Sequence, residues 1–392
     1  MHNDTMKRHL AIDIQNCTGC GACVQKCPAR AIEWIVGDDG FPAPRLDEGK
    51  CVGCGLCLSV CQLHRPKSSN GILGAFALQL KDRDVLMDST SGGAFTAIAE
   101  EVLSDNGVVY GCVFDDTCTA VYARATSSSE LAPMRGSKYV WADASQCFAA
   151  VRADVEAGRH VLFCALPCQV SGLKLFLGRD CPNLVTMDLL CAGPPSPAVF
   201  DAYLNTLVPR GEREGLDFKF REKTAYGPGY CIAYRRNGKT KHVSRAMSSY
   251  LYLFMEKIVL RKSCYRCWHR GIHREADLTV GDYWGAKTFF PDWDSKAGLS
   301  FVLANSPKGL ALFQEAARKC RVAPTRVGDI ARRNILCTDD SVENAPPPSE
   351  REGFFSLFNS WGYNVAALRY ALTVKRLKAM VADLLRKKKA RS

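Results

Sequence analysis

The sequence predicts an α/β protein, α+β overall, laid out as a small cysteine-rich module, a larger α/β domain and a basic helical tail. Three observations lead there. Two copies of one cysteine run, "CTGCGACVQKCP" and "CVGCGLCLSVCQ", stand near the amino end. Beyond them, short apolar runs of strand length alternate with amphipathic segments, the pattern of βα units. Basic residues then crowd the last turns. A chain of 392 residues has room for a large core and an appendage, and its 47% hydrophobic content is ordinary for a globular protein. The boundaries read as 1–68, 69–345 and 346–392.

The amino-terminal runs are both C-x2-C-x2-C-x3-C, and every cysteine repeats at an offset of 34 residues. This is the spacing of a bacterial ferredoxin with two [4Fe-4S] clusters, in which the fourth cysteine of each run serves the other cluster. The pattern assigns Cys17, Cys20, Cys23 and Cys61 to one cluster, and Cys51, Cys54, Cys57 and Cys27 to the second. Gly19, Gly21, Gly53 and Gly55 give the chain freedom to wrap an inorganic core. A pair of zinc sites is the competing reading, but zinc seldom uses a doubled, cross-shared run. Pro28 follows the first run, whereas Gln62 stands where a proline would follow the second.

"HRPKSSNG", residues 64 to 71, reads as a linker. In the following domain "GVVYGCVF" (107–114), "HVLFCA" (160–165), "NLVTMDLL" (183–190), "ADLTVGD" (276–282) and "LSFVLAN" (299–305) have the length and apolarity of buried strands. "SPAVFDAYLNTLV" and "SPKGLALFQEAARKC" follow as amphipathic helices, so a largely parallel sheet is expected. Asn237-Gly238 marks a hairpin between "CIAYRR" and "KTKHVSR". The chain holds neither G-x-G-x-x-G nor a Walker loop, so NAD and ATP lack their usual cradles.

Twenty cysteines in a chain without a secretory signal argue for metal ligands rather than disulfides. Cys168 and Cys191 each follow a strand, where ligands of open α/β sheets bind, and Pro167, Pro194 and Pro195 stiffen their loops. Cys264 and Cys267 form a C-x-x-C pair in "RKSCYRCWHR". These four thiols fit a third cluster, a zinc site or free thiols alike. Cys112, Cys118, Cys147, Cys164, Cys181, Cys231, Cys320 and Cys337 read as small core residues.

Taken together, "STSGGAFTAIAEEVL", "GSKYV", "LPCQVSGLK", "CAGPPSP", "RKSCYRC" and "ADLTVGDYWG" resemble the coenzyme F420 hydrogenase/dehydrogenase beta-subunit family, in matching order from about Ser89 to about Gly309. The chain departs from the family pattern where Ala165-Leu166 precedes the Pro-Cys and where Ala192 stands in place of a frequent His. The resemblance implies that Cys168, Cys191, Cys264 and Cys267 hold a [4Fe-4S] cluster beside FAD. It turns the helix opening at Thr90, Ser91, Gly92 and Gly93 into a candidate flavin contact, although Ser91 as an ordinary helix cap explains the same residues. Lys138 is a candidate to neutralise a pyrophosphate or a reduced flavin, and Asp282 a candidate hydrogen-bond partner in the same loop layer.

The expected protein is an iron-sulfur flavoprotein oxidoreductase. Electrons would pass from a ferredoxin-like donor through the clusters to FAD, then to a small-molecule or lipid-linked acceptor. Bacterial relatives of this architecture look like accessory enzymes of surface-polysaccharide biosynthesis. Dependence on coenzyme F420 and service as a non-catalytic electron-transfer subunit are the alternatives. No side chain stands out as a catalytic acid or base. The net charge of +12 sits mostly in the tail, where Lys375, Arg376, Lys378, Arg386, Lys387, Lys388, Lys389 and Arg391 face only Asp383, so a nucleic-acid partner is not expected. The location expected is cytoplasmic. Tyr370, Val374, Leu377, Val381 and Leu384 recur at helical spacing after the proline-rich "SVENAPPPSEREG" (341–353). That helix either packs on the core or lies on an anionic membrane surface.

Overall fold

Each cysteine run folds as a tight loop closed by a short helix, and the two loops are near copies. Gly21 and Gly55 take left-handed backbone angles (φ 76° and 73°) to open helices Ala22–Lys26 and Leu56–Ser59. Between them β1 (Ile32–Val36) and β2 (Pro42–Leu46) pair antiparallel. The computed structural model describes residues 15–66, 68–223, 231–332, 334 and 346–389. The amino-terminal stretch, Lys67 of the linker, Cys337, residues 341–345 and Arg391 lie outside the described residues, as do the side chains of Lys375, Arg386, Lys387, Lys388 and Lys389.

The large domain is built on β3 (Gly74–Leu80), β4 (Val108–Phe114), β5 (Ala120–Ala125), β6 (Val161–Ala165), β7 (Leu184–Leu189), β8 (Phe218–Lys219), β9 (Cys231–Arg236), β10 (Lys239–Ser244), β11 (Leu278–Asp282), β12 (Ser300–Ala304) and β13 (Cys320–Pro324). Eight of these form one sheet in the order β13-β3-β12-β11-β7-β6-β4-β5. The five apolar runs read from sequence are β4, β6, β7, β11 and β12. The expected helices form at Pro197–Leu207 and Pro307–Ala316.

The expectation of a largely parallel sheet is corrected. Only β4, β6, β7 and β11 run parallel to their neighbours, whereas β5, β12, β3 and β13 join antiparallel. A strand buried on both faces is a continuous apolar run in either direction, so β12 looks like its parallel neighbours in sequence. The Asn237-Gly238 hairpin forms with both residues at positive φ (52° and 71°), and β8 joins it in a separate three-stranded sheet.

The cysteine module does not hang from its linker. Ala22, Ile32 and Val60 share one buried core with Tyr110, Phe148, Phe163 and Leu173 of the large domain. Asn70 pins the linker by backbone and side-chain bonds to Arg274, Glu275 and Ala276. The tail is stitched in as well. Arg351, buried at the start of helix Glu350–Trp361, pairs with Asp39 at 2.7 Å and donates to the carbonyl of Leu260.

The tail contains three helices rather than one. Tyr370 belongs to Tyr363–Ala371, whose Tyr363, Ala366, Ala367 and Ala371 enter the core. Helix Val374–Lys389 begins afterwards.

Candidate functional site

Twelve cysteines gather in three groups of four. Cys17, Cys20, Cys23 and Cys61 line one cavity, and Cys51, Cys54, Cys57 and Cys27 line another. Each group thus takes three cysteines from one run and the fourth from the other. The second group lies outermost: Cys54 is exposed, and apolar Val52 and Leu56 are exposed beside it. Cys168, Cys191, Cys264 and Cys267 line the third cavity with Thr18 and His269. Among the described residues no three Cys, His, Asp or Glu side chains meet at a point suited to a single metal ion. The cysteines instead surround space.

The third group is assembled by the sheet. Cys168 sits in the first turn of helix Pro167–Leu177, directly after β6, and Cys191 follows β7. Cys264 lies in the 3-10 turn Lys262–Arg266, and Arg270 donates to its carbonyl at 2.7 Å. An isolated bridge between Pro195 and Leu260 brings the Cys191 loop onto that segment. Gly193 permits the approach: a Cβ there would lie 3.0 Å from the Cβ of Cys264. Its N–H also donates to Cys191 Sγ at 3.3 Å.

Burial first, and neighbouring thiols next, push these groups up: Cys168 well above its ordinary value, Cys191 to about 11, Cys264 higher still. Cys20, moved to about 11, and Cys23 follow the same pattern in the first group. Such crowded thiols ionise poorly alone, and an iron core supplies the positive charge that makes thiolates stable there. The donor sets therefore fit [4Fe-4S] clusters.

The first and third groups are neighbours. Thr18 lines both cavities. A Cβ on Gly172, in the helix carrying Cys168, would lie 2.9 Å from the Cβ of Cys20. Gln62, in the place of the missing proline, donates to Thr18 Oγ1 at 2.7 Å and to the Cys168 carbonyl at 3.5 Å, and contacts His269. The departure from the ferredoxin pattern is thus a strut between two groups of thiols.

The residues singled out for a flavin lie around the carboxyl ends of the central strands, but their polar groups are engaged. Gly93, not Ser91, occupies the cap of helix Ala94–Ser104. The Ser91 hydroxyl donates to the Leu299 carbonyl, and the Gly92 and Gly93 N–H groups donate to Ser300 Oγ and to the Thr90 carbonyl. The N–H groups of these two glycines are therefore already paired within the protein. Gly92 is there for packing, since a Cβ would strike the Leu78 carbonyl at 2.1 Å. Thr90 stays half-buried, with Ser137 at 3.3 Å. Lys138 donates to the carbonyls of Pro133 and Arg135, and burial lowers it to about 8.

Asp282 forms an ion pair with Arg221 at 2.7 Å. Lys223, two residues on, donates to the carbonyls of Ser91 and Leu86, and burial followed by the nearby Arg221 lowers it to about 7. Sequence reasoning missed Arg221 and Lys223. The signal was the basic run "FKFREK" ahead of the hairpin.

Two models of the coenzyme F420 hydrogenase/dehydrogenase beta subunit match the chain, the amino-terminal one over residues 75–149 and the carboxyl-terminal one over 158–327. A "4Fe-4S dicluster domain" matches 13–64. No curated protein sequence matches the chain. Among solved structures, a chain of the F420-reducing [NiFe] hydrogenase complex from Methanosarcina barkeri is 14% identical, with 70% of this chain and 90% of that one covered and a TM-score of 0.47. This chain belongs to the coenzyme F420 hydrogenase/dehydrogenase beta-subunit family, as an iron-sulfur oxidoreductase with a 4Fe-4S dicluster domain fused at its amino end.

Proposed function

We propose that the chain is a three-cluster iron-sulfur flavoprotein that takes electrons from a ferredoxin-like donor and delivers them to a small-molecule or lipid-linked acceptor. In this reading the three groups of four cysteines are the ligands of three [4Fe-4S] clusters. Bound clusters supply one-electron transfer, and FAD supplies the exchange between single electrons and a hydride. The observation that carries the proposal is the order of the groups. The outermost opens beside exposed Val52 and Leu56, the next shares the module with it, and the third touches that one through Thr18 and Gly172. Electron transfer needs such proximity, and it runs inward from a face that a donor can reach.

For the flavin we propose the carboxyl end of the central strands, with Thr90 and the opening of its helix, Lys138 and Asp282 as contacts, joined by Arg221 and Lys223. Cations lowered by burial are a poor arrangement alone, and a phosphate or reduced ring would favour their charged forms. The family description also makes coenzyme F420 a candidate two-electron partner.

The relay is tested by Cys20→Ser in the full chain, with anaerobic stopped-flow bleaching of the flavin. Reduction by ferredoxin should slow by on the order of tenfold or more, as a tethered route is lost. Reduction by a small chemical reductant that reaches the flavin directly should hold its rate. Equal rates with ferredoxin in variant and parent refute the relay.

We further propose that the last helix rests on an anionic membrane surface. The observation that favours this is its orientation. Buried Arg376 donates to the carbonyls of Ala246, Ala371 and Met247, and Asp383 accepts from Ser244. Val374, Leu377, Val381, Leu384 and Leu385 are left exposed. Among the described residues no helix is long and apolar enough to cross a membrane.

A further inference from the structure

Among the described residues Arg261 is a buried cation without a paired anion. Only 5% of it is exposed, and its Nε has no hydrogen-bond partner there. Its Nη2 donates to the Pro42 carbonyl at 2.9 Å, and its guanidinium lies over the rings of Phe41 and Trp141 at 4.7 and 5.2 Å. No described carboxylate forms an ion pair with it. Asp39, the acid that it senses, is already held by Arg351. An isolated charge in such a place is costly, so burial of this kind persists where a negative partner is supplied.

The position of Arg261 names that partner. Its guanidinium packs on the loop of the first thiol group, where a Cβ on Gly19 would lie 2.7 Å from Nη2. On its other side the backbone leads directly into the third group, since the Cys264 N–H donates to the Arg261 carbonyl at 3.0 Å.

We propose that Arg261 is a positioning residue shared by two iron-sulfur clusters, its single positive charge offsetting the negative charge of both and raising both reduction potentials. The inference rests on the cluster assignment above. A cluster gains an electron more readily beside a fixed cation, because the reduced form carries more negative charge. A higher potential at these two clusters favours transfer inward, toward the flavin.

The test is an EPR-monitored redox titration of the full holoprotein, comparing parent, Arg261→Met and Arg261→Lys. Methionine fills similar volume without charge, the replacement a buried ion most often tolerates. In Arg261→Met two of the three potentials should move to more negative values, with the third unchanged. Arg261→Lys should keep both near the parent values. If Arg261→Met fails to assemble its clusters while Arg261→Lys assembles them, charge compensation is again supported. Unchanged potentials in Arg261→Met, equal shifts in both variants, or loss of clusters in both overturn the proposal in favour of packing alone. Three clusters absent from the parent itself refute the cluster assignment, a separate outcome read from the iron and sulfide content before any titration.

Discussion

Cys264 is held on three sides: by the turn Lys262–Arg266, by Arg270 on its carbonyl, and by the Gly193 backbone against its Cβ. Serine would fit that space but binds iron more weakly than a thiolate, so Cys264→Ser should cost one cluster. Anaerobic protein should then lose about one third of its iron and sulfide while keeping the spectrum of the ferredoxin pair. Full iron with an unchanged spectrum removes Cys264 from the ligand set. The twelve cysteines could be picked out because metal-ligand spacing and family motifs are written directly in sequence. The roles of Arg261, Gln62 and Lys223 could not, although Gln62 showed as a missing proline and Lys223 lay in a basic run. Their partners lie far along the chain, and each reads locally as an ordinary polar side chain until Gly19, Cys168 and Ser91 are brought beside them.

At the scale of elements, the strands with β-branched or large apolar runs were legible and the alanine-rich ones were not. "GAFALQL" and "AVYARA" lack a strong strand preference, and "CRVAP" ends on a proline that only an edge strand accepts, the position β13 takes. Tertiary packing decides these three. The last helix is the reverse case, since its periodicity was clear while its facing was not. An apolar stripe normally turns inward, yet here Arg376 and Asp383 hold the polar side to the protein. Its basic residues should each add about 1 kcal/mol on an anionic bilayer at low salt. The full chain should therefore sediment with anionic vesicles and be released by salt. Leu377→Glu combined with Val381→Glu should abolish binding. A parent that ignores such vesicles at low ionic strength ends the idea.

For the molecule as a whole, the linker composition suggests a tethered module, whereas the packing joins the module to the large domain. Sequence cannot reveal this, because Ile32 and Val60 look like the core of a small domain whether or not Phe148 and Phe163 complete it. Removing residues 1–68 uncovers that shared core, at about 2 kcal/mol for each large apolar side chain exposed. The fragment should aggregate or melt without cooperativity in calorimetry. A monomeric fragment with a sharp transition would show that the large domain closes its core unaided.

Arg351 gives this integration a direction in time. Its pair with Asp39 spans 312 residues of sequence. A ribosome releases the β1–β2 turn long before helix Glu350–Trp361, so this clamp on the cysteine module closes only after the whole large domain has been made. Contacts of such long range form slowly and late. Until then the turn carrying Asp39 and the Arg261 segment, which Arg351 grips through Leu260, lack this one tie. All twelve cysteines of the three groups have left the ribosome before Arg351 follows them.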